Sequence, residues 1–149
     1  MSTFDLFNLP APLQSALKGM QYHIPTQIQV EVIPAVMDGI DVIGIAQTGT
    51  GKTAAFGIPM VTTLSKDPRA QALILVPTRE LAAQIHEVLD QLTLNFPAIR
   101  SCVLIGGASM HMQHVALSKK PRILIATPGR LLDHLAQRTR TGLAVCGHG

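Results

Sequence analysis

The sequence predicts an α/β fold built on a parallel sheet, and three observations predict it. Four short apolar runs bounded by turn residues (42–46, 72–76, 101–105 and 122–126) alternate with segments at helical spacing. The first run leads into Gln47-Thr48-Gly49-Thr50-Gly51-Lys52-Thr53, a small-residue loop followed by a helix-compatible stretch. The other three runs end in loops with small residues, hydroxyls or an arginine: 77–80, 106–107 and 127–130. In parallel α/β sheets ligands sit beyond the carboxyl ends of the strands, so all four loops are expected along one edge.

The first loop carries the clearest chemistry. Its glycines let backbone N–H groups turn inward without a Cβ clash. Those donors and the positive end of the following helix would face an anion. Lys52 is placed to reach β- and γ-phosphates, and the Thr53 hydroxyl to ligate Mg²⁺. The usual phosphate-loop pattern begins with Gly where this chain has Ala46; the rest is intact. Gly49-x-Gly51-x-x-Ala54 also fits a dinucleotide fingerprint, which wants an acid at the end of the next strand. That strand ends Leu75-Val76-Pro77-Thr78, so a nucleoside triphosphate is favoured.

Composition bounds the rest. The 149 residues are one domain or part of one, and 47% apolar content excludes a disordered chain. Mean hydropathy is +0.31, yet no apolar run reaches membrane-spanning length. The N-terminus lacks a basic-then-apolar signal pattern, so the expectation is cytoplasmic, with no membrane. Cys102 and Cys146 have no metal spacing and are expected as free thiols. His111 and His114 are expected on a solvated helix face. Residues 1–90 hold five Lys/Arg against eight Asp/Glu, whereas 91–149 hold seven against one, Asp133. A polyanion partner for the C-terminal part and chance surface charge both account for this.

In order, Leu9, Leu13 and Leu17 mark a short helix ending near Gly19. Pro25 blocks its continuation, and Thr26 caps a second helix that should turn Ile28, Val32 and Val36 inward. Gln29 on its own is an ordinary helix-surface amide. A helix over 53–65, with Pro59 a possible kink, lies behind the phosphate loop. The next helix opens at Thr78-Arg79-Glu80 and carries Leu81, Ile85, Val88, Leu89 and Leu92. A short polar helix over 110–118 and a last one over 131–137 follow. Arg79 and Arg130 suit phosphate oxygens. Backbone N–H groups at the glycines and helix starts suit a sugar–phosphate chain gripped without base reading.

These motifs, in this order, resemble the first RecA-like domain of DEAD-box ATP-dependent RNA helicases, from Phe4 to about Leu135. Ala46-Gln47-Thr48-Gly49-Thr50-Gly51-Lys52-Thr53 is similar to that family's phosphate loop, Ala46 included. Pro77-Thr78-Arg79-Glu80-Leu81, Gly106-Gly107 and Thr127-Pro128-Gly129-Arg130 are similar to its RNA-contacting motifs. Pro25-Thr26-Gln27-Ile28-Gln29 is similar to its adenine-reading motif. The resemblance implies a three-layer phosphate-loop NTPase fold, incomplete in these residues. It divides the chain into an adenine-reading segment (1–33), a partial ATP-binding domain (34–137) and an aberrant or truncated tail (138–149).

By the same resemblance, Phe4 stacks on the base and Gln29 reads the adenine edge. Thr48, Gly49, Thr50, Gly51, Lys52 and Thr53 take the phosphates of ATP, with Thr53 on Mg²⁺. Pro77, Thr78, Arg79, Gly106, Gly107, Thr127, Gly129 and Arg130 hold an RNA backbone without sequence specificity. Gln21 departs from the family's usual Gly, with little effect expected. The larger departure follows residue 137: no Asp-Glu-Ala-Asp motif appears, so no catalytic residue is assigned. The chain alone is expected to bind without turnover. The family places two further strands beside the phosphate-loop strand. Without them, 42–46 is expected to lack a ladder partner and the chain to be weakly stable.

Overall fold

The fold is described from a computed structural model covering residues 3–47, 49 and 51–137. The chain divides into two compact units. The first comprises residues up to Gln71 together with Glu87–Ile99; the second comprises Ala72–His86 and the residues from Arg100 onward.

The first unit is helical. After a 3₁₀ turn at Thr3–Phe7 come α1 (Ala11–Gly19), α2 (Gln27–Met37) and α3 (Lys52–Lys66), with α3 packed against both α1 and α2. Pro10 fixes the entry to α1, where the chain is extended and a helix N–H is dispensable. Leu9, Leu13 and Leu17 are buried, as their four-residue spacing predicts. In α2 the inward set is Gln29, Val32 and Ile33, rather than Ile28, Val32 and Val36. The stripe is rotated toward α3, which buries Gln29. Helix α3 runs unbroken through Pro59, whose ring is buried, as are Ile58 and Val61. Leu89, Leu92 and Ile99 complete this core.

The second unit holds the sheet. Strands β1 (Ala72–Leu75), β2 (Ser101–Leu104) and β3 (Ile123–Ala126) pair in parallel in the order β1-β3-β2. The register sets Ile74 and Val103 on either side of Ile125. Ile123, Ile125 and Ala126 are wholly buried, as befits a central parallel strand. Helix α4 (Arg79–Leu92) follows β1, α5 (Met110–Ser118) follows β2, and α6 (Pro128–Ala136) follows β3. Helix α6 starts three residues before its apolar spacing suggests. Pro128 takes its first position, so the Thr127–Arg130 loop is itself the helix N-terminus.

One predicted strand does not form. Residues 42–46 take no regular secondary structure, and among the described residues no strand pairs with them. Ile43 and Ile45 are 91% and 90% exposed. A strand is a property of a pair: β-branched residues favour the conformation, but the ladder needs a neighbour. The expected tail, 138–149, lies outside the described residues, as does Cys146.

Candidate nucleotide and nucleic-acid sites

In the first unit the phosphate loop is anchored by an amide. Gln29 is 2% exposed, and both ends of its side chain are used. Its Oε1 accepts from the Thr26 N–H at 3.0 Å, which closes the start of α2. Its Nε2 donates to the Gly51 carbonyl at 3.2 Å. Gly51 is left-handed (φ +80°) and is the residue from which α3 springs. A β-carbon there would collide with Gln29 Nε2 and lie 3.4 Å from Thr26 Oγ1. Gly51 is thus required by its backbone angle and by its neighbour alike.

Gly49 is also left-handed (φ +83°), with open space where a β-carbon would be. The Lys52 ammonium donates to the Ala46 carbonyl, so its charge stays at the loop. Thr53 is half-buried in the first turn of α3. Thr48 and Thr50 lie outside the described residues. Phe4 differs from expectation. It is 2% exposed, edge-on to Phe7 at 6.0 Å and stacked on Tyr22 at 6.4 Å. The ring is enclosed between these two neighbours and is not exposed to solvent.

In the second unit three loops meet at the carboxyl ends of β1, β3 and β2. Thr78 caps α4, its Oγ1 accepting from the Leu81 N–H at 3.2 Å. Gly107 is left-handed (φ +80°), and a β-carbon on it would collide with Arg79 Nη1; the guanidinium lies directly over the glycine. Arg130 Nη1 donates to the Ala108 carbonyl at 3.2 Å, and its Nε lies 3.5 Å from Asp133 Oδ2. Arg79 and Arg130 therefore converge on residues 107–108 from two different helices. Pro77, Thr78, Gly107 and Gly129 are exposed, while Gly106 and Thr127 are half-buried.

Two buried polar residues were not legible as a site. Gln113 is 6% and His134 0% exposed, and they bond to each other at 2.8 Å. Burial, aided by the neighbouring charges of His114 and Arg130, holds the His134 imidazole below its ordinary pKa. His114 is half-buried with its ring 5.2 Å from that of His134, so it does not lie on a solvated face as expected; His111 does. The only sequence signal was the four-residue step from Arg130 to His134. Cys102 is a free thiol that burial pushes up to a pKa of about 11, which makes it inert.

The first unit thus carries a glycine-rich loop that opens into Lys52 and Thr53, and the second a carboxyl-edge cluster of small residues and arginines. The chain belongs to the DEAD/DEAH box helicase family, whose model matches residues 26–146. It is 44% identical over 146 residues to the DEAD-box ATP-dependent RNA helicase 28 of Oryza sativa subsp. japonica, covering 95% of this chain and 18% of that one. It is 44% identical over 139 residues to the ATP-dependent RNA helicase DeaD of Klebsiella pneumoniae, covering 93% and 22%. Among solved structures, the yeast DEAD-box splicing factor Prp28 matches with TM-score 0.79 and 34% identity, over 87% of this chain and 33% of that one. A hypothetical ATP-dependent RNA helicase from Sulfolobus tokodaii matches with TM-score 0.79 and 29% identity, over 87% and 37%. The likeness confirms the predicted α/β class. The chain spans only about a fifth of the length of these two curated relatives.

Proposed function

We propose that these residues are the N-terminal part of an ATP-dependent RNA helicase that binds ATP–Mg²⁺ and the backbone of single-stranded RNA. The observation that carries this reading is left-handed Gly51 opening α3 directly into Lys52 and Thr53, in a chain of this family. Thr48, Gly49, Thr50 and Gly51 would offer backbone N–H groups to the phosphates, and Lys52 its ammonium. The donor set fits Mg²⁺. No cluster of three metal-binding side chains occurs among the described residues, and an ion held by one hydroxyl, phosphates and water needs none. Thr53 would supply that hydroxyl, and the bound ion would draw charge off the phosphate oxygens.

Arg79, Gly106, Gly107, Thr127, Gly129 and Arg130, with Pro77 and Thr78, would follow the RNA backbone. Contacts to phosphate and sugar position a strand without reading its bases. Duplex unwinding driven by ATP hydrolysis belongs to the longer relatives' class. Residues 91–137 hold one acid, Asp133, and it faces Arg130, which favours binding without turnover by the 149 residues alone. No helix of the described residues is long and apolar enough to cross a membrane; the cytoplasm is the compartment proposed.

Competition with a fluorescent adenine nucleotide tests the base choice. ATP should displace it at lower concentration than GTP, and Gln29→Ala should narrow that gap. Since Gln29 also ties down Gly51, the substitution should weaken both nucleotides. Equal displacement by ATP and GTP from the unmutated chain would remove Gln29 from base reading. For RNA, Arg79→Ala and Arg130→Ala should each weaken binding alike across sequences and reduce the log–log salt slope by about 1. A loss limited to one RNA sequence would assign these arginines to bases instead.

A further inference from the structure

The loop over 105–108 is tied to α6 at two points one helical turn apart. Arg130 reaches the Ala108 carbonyl, as described. Four residues on, His134 reaches the same loop through Gln113, whose Nε2 donates to the Ile105 carbonyl at 2.9 Å. The Ile105 carbonyl only accepts, so it fixes which way the Gln113 amide points: nitrogen toward Ile105, oxygen toward His134. That oxygen in turn demands a donor, so His134 carries its proton on Nε2. Nδ1 is then a bare acceptor, buried and without a hydrogen-bond partner among the described residues.

An apolar pair in the same space would avoid that unpaired atom, and packing alone would favour it. The bridge instead joins the residue before Gly106-Gly107 to the helix that begins Pro128-Gly129-Arg130. We propose that Gln113 and His134 are positioning residues that fix Gly106 and Gly107 relative to the N-terminus of α6. The two loops are thereby held at one spacing, matched to successive phosphates of a nucleic-acid strand. The use made of that spacing rests on the RNA-binding reading above; the positioning itself does not.

The test uses the whole 149-residue chain and a fluorescently labelled decauridine. In the double variant Gln113→Leu/His134→Leu both partners become apolar, so the urea midpoint should hold or rise. Amide ¹⁵N order parameters at Gly106 and Gly107, measured without RNA, should nevertheless drop below about 0.6 while β2 stays near 0.85. Affinity for decauridine should fall about tenfold, the loss of roughly one to two hydrogen bonds' worth of ordering. His134→Gln keeps a donor toward Gln113 and should retain affinity within about twofold, unlike His134→Leu. Unchanged order parameters in the stable double variant would overturn the positioning role. Lowered order with unchanged decauridine affinity would overturn its link to RNA. Failure of the unmutated chain to bind decauridine at all would count against the RNA reading, with the order parameters still deciding the bridge.

Discussion

Amide hydrogens of residues 42–46 are expected to exchange roughly a thousandfold faster than those of Leu124 and Ile125. Strand β3 is paired on both sides, so its amides open only with the sheet itself. Even about 4–5 kcal/mol of stability in that unit slows exchange by three orders of magnitude. Residues 42–46 have no strand partner among the described residues, and Ile43 and Ile45 stand in solvent. The same exposure makes this stretch adhesive. Protection at 42–46 that matches β3 in a dilute monomer would show a paired strand and contradict the described structure. Protection that appears only as concentration rises would show pairing between copies.

Lys52→Ala is expected to weaken ATP binding by about ten- to a hundredfold. A charge-assisted hydrogen bond is worth about 1.5–3 kcal/mol, and each 1.4 kcal/mol is a factor of ten. The cost to folding should be slight. Among the described residues the ammonium bonds a loop carbonyl, and position 52 opens α3, where alanine is well tolerated. Circular dichroism and the urea midpoint should therefore match the unmutated chain while nucleotide titration separates the two. Equal affinity in both would place the phosphates elsewhere. Neither protein should hydrolyse ATP, so turnover by the unmutated chain above the Lys52→Ala background would reject binding without turnover.

The sequence by itself determined the local elements that depend on local rules. The helix over Met110–Ser118 has the predicted bounds, and those over α4 and α3 agree within a residue or so. Apolar spacing, Pro25, Thr26 and the turn residues act over a few positions, so they are legible one stretch at a time. The motif order also identified the family, because phosphate loop, arginine loops and Gly pair are each short and contiguous.

Only the tertiary structure decided what depends on partners distant in sequence. Residues 42–46 read as a strand, with a missing ladder partner implied by the family resemblance; that no other described strand takes the place follows from packing, since a parallel ladder is closed by residues far along the chain. Gln29 on its own read as a surface amide; its burial follows from Gly51, 22 residues away, which supplies the carbonyl it needs. The enclosure of Phe4 by Phe7 and Tyr22 likewise depends on packing and has no signal in the sequence. Gln113 and His134 gave no reading at all. A buried polar group is stable only where its partner is, and the partner's position is set by the packing of α5, α6 and β2, not by spacing along the chain.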